Sequence, residues 1–286
     1  MNEIKASLPD EIIEILSKHL LNLSKKEIHD YFDKTTQDKF IYLKINKLKH
    51  FDNLLNAKLG AIKNIGIDFP LYFENKDKPN LVIVAMDPKR KDNNQIVEES
   101  ISLSSVFALN NLSSRSTNKN DYWKFISPLT KDFNVYLTDV YKIYFDNANP
   151  SQKISSKDSK FKNFEISIEN QKKNLHYQIL EEEIETFFSK SKPNQNFVIA
   201  LGNEAKDAIC RIYNITTKDK ISVEQKNKKF IFMPHISRIV TQNIKTISNL
   251  FEAMSIIKDL RKNDKSATEY KNLGIKIKEL NKTLFS

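Results

Sequence analysis

The chain contains four short runs rich in apolar residues after residue 75. They span residues 81–86, 134–138, 196–201 and 229–233. Runs of this length and composition are typical of strands buried on both faces of a parallel sheet. The segments between them are long enough for the helical crossovers that parallel pairing requires. The pattern predicts an α/β fold, with a four-stranded parallel sheet flanked by helices.

The chain before these runs has helical rather than strand periodicity. Apolar residues recur at helical spacing between Ile12 and Leu21, and residues 24–27 have the form of a capping box. A third helix is predicted over residues 40–59. We therefore expect residues 1–75 to form an N-terminal helical extension and residues 76–286 to form the α/β domain.

The predicted strands end at residues that can take part in chemistry. Asp87 and Pro88 follow the first strand, Asp139 the second, Gly202 the third and His235 the fourth. Proline cannot extend a strand ladder because it lacks an N–H. The carboxyl ends of parallel strands lie at one edge of the sheet, where open α/β sheets bind ligands. One functional site is expected there.

Composition narrows the choice of partners and cofactors. The net charge of +10 favours a polyanion such as DNA, although a Lys- and Asn-rich composition is equally explained by an A·T-rich genome. Cys210 is the single cysteine, which excludes a disulfide framework and a Cys-ligated iron–sulfur cluster. The sequence has no apolar leader or membrane-length apolar run, so we expect a cytoplasmic protein without membrane association. We also expect a monomer.

The strand ends resemble the motifs of the uracil-DNA glycosylase superfamily. Residues 85–90 look like Gly-Gln-Asp-Pro-Tyr-His, and residues 136–142 are similar to Tyr-Ile-Thr-Asn-Val-Val-Lys. Residues 199–205 match a strand–glycine–helix landmark, and residues 233–237 resemble the closing Pro-His-Pro-Ser. The resemblance covers roughly residues 75–255. It implies a uracil-DNA glycosylase-like fold and removal of a base from DNA.

The resemblance assigns catalysis to Asp87 and His235. Cleavage of an N-glycosidic bond needs support for a cationic sugar and for negative charge on the departing base. Asp87 is expected to orient water and support the sugar, and His235 to donate to O2 of the base. Taken alone, Asp87 would be a turn acid before proline and His235 a core imidazole.

Asp139 stands where the family usually has an asparagine that reads uracil. A carboxylate cannot donate to O4 of uracil, but it can accept from the N4 amine of cytosine. We therefore expect Asp139 to favour cytosine or a cytosine derivative. The structural alternative is that Asp139 caps the segment that follows it.

Lys89 stands where one branch of the family places an aromatic ring against carbon 5 of the base. A substituent such as hydroxymethyl, or a sugar on it, would then fit and bind Lys89, Arg90 or Lys91. In this respect the chain resembles the antiphage glycosylases that excise glucosylated hydroxymethylcytosine. Contacts of these basic residues with phosphate are an equally good explanation.

The remaining expected DNA contacts also follow from the resemblance. Ile239 would fill the gap left by the flipped base, and Ser237 and Arg238 would hold phosphates. Phe107 is the expected platform for the flipped base, with Leu103 as the competing candidate.

Together these expectations describe a monofunctional DNA glycosylase that needs no metal or other cofactor. Its substrate would be a cytosine-type base modified at carbon 5, in antiphage defence. The alternatives are an ordinary uracil-DNA glycosylase in base-excision repair and a non-catalytic DNA-binding relative.

Overall fold

A computed structural model describes residues 5–49, 62–75, 77–86, 100–116, 121–147, 165–168, 171–189, 196–216, 222–225 and 227–233. The α-helices in these ranges are α1 (Asp10–His19), α2 (Lys25–Lys34), α3 (Leu112–Ser116), α4 (Asp121–Asp132), α5 (Leu175–Phe188) and α6 (Asn203–Ile212). Single turns of 3-10 helix span Ile45–Lys47 and Val106–Ala108. The strands are β1 (Ile41–Lys44), β2 (Ile62–Phe69), β3 (Leu71–Phe73), β4 (Asn80–Ala85), β5 (Ser100–Ser105), β6 (Asn134–Asp139), β7 (Ile143–Asn147), β8 (Glu165–Ile168), β9 (Gln171–Asn174), β10 (Asn196–Leu201), β11 (Ser222–Gln225) and β12 (Lys228–Met233).

The larger sheet contains the four strands expected from the sequence. Its strand order is β11-β12-β10-β4-β6-β3, and β12, β10, β4 and β6 pair in parallel. Two antiparallel strands, β3 and β11, extend its edges, so the expectation of a sheet with only four parallel strands is corrected. These edge strands escaped prediction because β3 has three residues and β11 is largely polar.

The centre of this sheet is buried on both faces. Every residue of β4 and β10 is buried, which explains their nearly continuous apolar sequence. Helix α5 covers one face of β6, where Phe187 stacks on Tyr136 with ring centroids 5.2 Å apart. The strand ends are thus held in a rigid layer, on which a site can be positioned.

A second sheet, with strand order β1-β5-β2-β7, was not expected. Its edge strand β1 lies where a helix over residues 40–59 was predicted to begin, so the start of that prediction is wrong. Residues 50–59 of the predicted helix lie outside the described part of the chain. Its strand β5 has the sequence Ser-Ile-Ser-Leu-Ser-Ser, which alternates polar and apolar residues with the period of a strand. All six residues of β5 are nevertheless buried, so its serines pack inside the protein.

The region before residue 76 contains strands as well as helices. The capping box at the start of α2 is present as expected. However, β3 pairs with β6 of the larger sheet, and Lys18 and His19 of α1 both contact Glu182 of α5. The described residues before residue 76 are therefore joined to the larger sheet through β3 and to α5 through α1. The domain boundary at residue 75 stays a prediction.

No helix in the described ranges combines the length and the apolar character that crossing a bilayer requires.

Truncation of Ile83 tests how much burial of the central strand β4 contributes to the free energy of unfolding. Its side chain on β4 is fully buried, so Ile83→Ala leaves a cavity and should lower the free energy of unfolding by about 2–5 kcal/mol. Leu112, which is 41% exposed, is the matched control, and Leu112→Ala should change stability by less than about 0.5 kcal/mol. Urea denaturation measures both, and equal effects would contradict the assigned burial.

Candidate functional site

The carboxyl ends of the parallel strands meet at one edge of the larger sheet. The register places Ala85 of β4 beside Asp139 of β6, and Leu201 of β10 beside Met233 of β12. Neighbouring strands in a sheet lie about 4.8 Å apart. The end of β4 is thus one strand spacing from Asp139.

The order of the strands creates a switch point at this edge. Among the four parallel strands, β4 is first in the chain, yet it lies between the second strand, β6, and the third, β10. Open α/β sheets bind ligands in the crevice outside the strand ends at such a point. Here β4 leads towards Asp87, and β10 is followed by Gly202, whose φ of 87° favours glycine.

The expected catalytic and DNA-binding residues all lie outside the described part of the chain. These are Asp87, Lys89, Arg90, His235, Ser237, Arg238 and Ile239. The structure describes the residues from which their segments leave, Met86 and Met233, and both are at the carboxyl edge. The roles given to these residues stay predictions.

Asp139 is described, and it is buried at the end of β6. The structure argues against the capping alternative, because a capping side chain would bind the N–H groups of residues 141 and 142. The Tyr141 N–H donates to the Met86 carbonyl at 3.0 Å, and the Lys142 N–H donates to His176 Nδ1 at 3.1 Å. The segment that follows is strand β7 rather than a helix.

A buried polar cluster lies directly beside Asp139 in the chain. Lys142 Nζ lies 2.6 Å from Glu183 Oε2 and 2.5 Å from Thr138 Oγ1. The Thr138 hydroxyl donates to the same Glu183 oxygen at 2.7 Å. The Lys142 and Glu183 side chains are 2% and 0% exposed, so this ion pair is shielded from water. Removing one member would leave a buried charge without its partner, which is strongly destabilising.

His176 adds a neutral acceptor to the cluster. Burial, together with the positive charge of Lys142, lowers the pKa of His176 to about 3. The ring is therefore neutral at physiological pH, and its Nδ1 accepts the Lys142 N–H. His176 and Glu183 both belong to α5, so one helix binds Lys142 through its backbone and through its amine.

Two tyrosines connect this cluster with its surroundings. Burial raises the pKa of Tyr136 well above its ordinary value, and the nearby Glu183 raises it further. The Tyr141 hydroxyl donates to Glu204 Oε2 at 3.4 Å. Glu204 belongs to the first turn of α6, which begins after Gly202. The segment after Asp139 is thereby linked to the helix that starts at the switch point.

Phe107 lies in a strained turn beside β6. Its φ of 54° is unusual for an aromatic residue, and Ala108 has a φ of 56°. The ring of Phe107 stacks on Tyr122 with centroids 3.9 Å apart and an interplanar angle of 17°. The turn Val106–Ala108 packs against β6. Leu103, the competing platform candidate, is fully buried in β5 and belongs to the core.

Glu183 and His176 were not predicted as functional residues, although the sequence contains a signal for Glu183. Glu183 lies four residues after Ile179 and three after Leu180, within the apolar stripe of α5. An acid in that stripe requires a buried cation or donor. Nothing in the sequence identified Lys142 as that cation, because the two residues are 41 positions apart.

Within the described ranges, no group of three or more His, Cys, Asp or Glu side chains is placed to hold a metal ion.

Comparisons with known proteins found no match to this chain. No protein-family model, curated protein or solved structure matches this chain. Its function is therefore inferred from its residues and their placement.

The pH dependence of stability tests the neutral state of His176. A lowered pKa means that the folded protein binds fewer protons than the unfolded chain, so stability is full above about pH 6.5 and is lost as the pH falls towards 3. His176→Asn retains an acceptor, and it should reduce the loss of stability between pH 7 and pH 5 by up to about 2 kcal/mol.

Denaturant titrations at the two pH values measure this difference. His29→Asn is the control, because the side chain of His29 is 43% exposed. The same pH dependence in both variants would contradict the assignment of a buried neutral His176.

Proposed function

We propose that this chain is a monofunctional DNA glycosylase that removes a cytosine-type base, modified at carbon 5, and leaves an abasic site. The observation that carries the proposal is the register of Asp139 with Ala85. Ala85 lies two residues before Asp87, and both strands end beside the switch point. A base-reading acid and a catalytic acid would therefore approach the same ligand from neighbouring strands.

The proposed reaction is hydrolysis of the N-glycosidic bond. Water oriented by Asp87 attacks carbon 1′ of the sugar and becomes its hydroxyl group, and its second proton passes to Asp87 and finally to the departing base. The base leaves with the electron pair of the broken bond, and His235 donates to O2 as negative charge develops there. Asp87 also supports the cationic character of the sugar in the transition state.

The surroundings of Asp139 support its proposed role in reading the base. The N–H groups that a capping Asp139 would bind donate to Met86 and His176 instead. Asp139 is 3% exposed, so water competes little for its carboxylate. A buried carboxylate that accepts from the N4 amine of cytosine would discriminate strongly against uracil, which presents a carbonyl there.

Phe107 supports the proposal through its position beside β6. Flipped bases are commonly stacked against aromatic or apolar side chains. The strained backbone of Phe107 and its stacking on Tyr122 hold the ring in a defined orientation. A fixed aromatic ring next to the strand that carries Asp139 suits the platform role proposed for it.

The buried, hydrogen-bonded amine of Lys142 supports the proposal of a monofunctional enzyme. A glycosylase that also cleaves the strand needs an amine able to form a Schiff base with the sugar. Lys142 lies three residues after Asp139, but its amine is bound by Glu183 and Thr138 and is shielded from water. It is therefore unsuited to attack the sugar.

The net charge of +10 supports DNA as the partner, since basic surface attracts phosphate whatever the sequence. Lys89 and Arg90 follow Asp87 in the chain, so they are suited to hydrogen-bond a substituent on carbon 5 of the base. A glucosylated hydroxymethyl group would fit this proposal and would assign the enzyme to antiphage defence.

Release of free base tests the proposal. Matched oligonucleotides would carry uracil, cytosine, hydroxymethylcytosine or glucosylated hydroxymethylcytosine, and alkali would then cleave any abasic sites. We expect release from a cytosine derivative, and Asp87→Asn should reduce it by about 10³-fold or more while DNA binding persists.

Other outcomes identify the competing functions. Release of uracil alone would indicate an ordinary uracil-DNA glycosylase. DNA binding without release from any substrate would indicate a non-catalytic relative. Unchanged activity of Asp87→Asn would disprove the role assigned to that residue.

Asp139→Asn tests how the base is selected. An amide can donate to O4 of uracil, so the ratio of cytosine-type to uracil release should fall by about 10-fold to 100-fold. Asp132→Asn, at the end of α4 and away from the carboxyl edge, is the control for a change of one acid to its amide. An unchanged ratio in Asp139→Asn would rule out base reading by this side chain.

A further inference from the structure

The three residues that follow Asp139 have all of their backbone N–H groups bound. Val140 donates to the Ala85 carbonyl at 2.9 Å, and Tyr141 donates to the Met86 carbonyl at 3.0 Å. The third, Lys142, donates to His176 Nδ1. The first two bonds tie this segment to the end of β4, and the third ties it to α5. Movement of the segment would shift Asp139 relative to β4.

Lys142 is bound by α5 at two separate points. His176 accepts its backbone N–H, and Glu183 accepts from its amine. These two residues are seven positions apart, about two turns along the helix. Binding at two points prevents the segment from pivoting about either one.

The Lys142 amine also binds the residue that precedes Asp139. Thr138 Oγ1 contacts both Lys142 Nζ and Glu183 Oε2, so the three side chains form a closed triangle. Side chains alternate along a strand, so Thr138 faces α5 while Asp139 faces the other side of the sheet. Fixing Thr138 from one side therefore fixes the direction of Asp139 on the other.

We propose that Lys142, held by Glu183 and His176, is a positioning residue that orients Asp139 and thereby sets the selectivity for cytosine-type bases. The inference rests on the proposed function. Lys142 acts without touching the base: its amine is enclosed by Thr138 and Glu183, while Asp139 makes the contact. The buried ion pair of Lys142 and Glu183 is costly to form, and its proposed role is to hold the carboxylate of Asp139 in one direction.

The test removes both charges together, because loss of one partner would threaten folding. In Lys142→Met/Glu183→Gln, the glutamine oxygen can still accept from Thr138 while the cation is absent. The matched control is Lys228→Met/Glu185→Gln. Lys228 Nζ lies 2.9 Å from Glu185 Oε2. Glu185 is on the same helix α5, whereas Lys228 is at the amino end of β12, away from the candidate site. In that control the glutamine oxygen can still accept from the Tyr213 hydroxyl.

Base selectivity is the first readout. A displacement of about 1 Å at a reacting group can cost about 100-fold, so we expect the ratio of cytosine-type to uracil release to fall by about 10-fold to 100-fold. The change should appear mainly in kcat, since the contacts that bind DNA are intact. The control pair should leave the ratio unchanged. An unchanged ratio in Lys142→Met/Glu183→Gln would overturn the proposal.

Hydrogen exchange is the second readout and needs no activity. Amides of Val140 and Tyr141 in the full chain should exchange faster in Lys142→Met/Glu183→Gln, and at the wild-type rate in the control. Unchanged exchange would overturn the positioning role even if selectivity fell. If the wild-type chain releases no base, the proposed function fails, and exchange alone then decides whether Lys142 holds the end of β6.

Discussion

The parallel pairing of β4 with both β6 and β10 is the constraint on which the rest of this structure depends. A buried strand must satisfy its backbone groups on two sides, and β4 does so within the sheet. Once β4 is central, its carboxyl end lies between the ends of β6 and β10. The chain must leave β4 at the edge where Asp139 and Gly202 are also placed. The location of the candidate site is thus a consequence of backbone pairing.

The buried polar cluster stabilises that edge in a way that pairing alone does not. Backbone hydrogen bonds align β6 with β4 and hold Val140 and Tyr141 at its end, but they leave the contact of this segment with α5 undetermined. Lys142 supplies this by binding Thr138 on its own segment and Glu183 on α5. Burying an ion pair is costly, which offsets much of its attraction, and the fixed geometry that it gives the end of β6 is the role we propose for it.

The sequence predicted the strands that are buried on both faces, because these have continuous apolar sequences. It did not predict strands whose short sequences also suit a helix or a loop. All four central strands were located because strands covered on both faces read as apolar runs. Strand β1 was taken for a helix because the short sequence Ile-Tyr-Leu-Lys suits either structure. Strand β5 was missed because its buried serines resemble a polar loop. In β1, pairing with the distant β5 outweighed local preference.

The sequence by itself determined the class of fold and the polar residues that follow the strands, among them the carboxylate of Asp139. These features depend on residue type and on short spacings. Only the tertiary structure decided the strand order, the second sheet, and the contact of Lys142 with Glu183 and His176. Those depend on segments that are distant in the chain and adjacent in space. The hydrogen bonds that argue against the capping alternative for Asp139 likewise depend on the fold, because the partners of the neighbouring N–H groups come from the end of β4 and from α5.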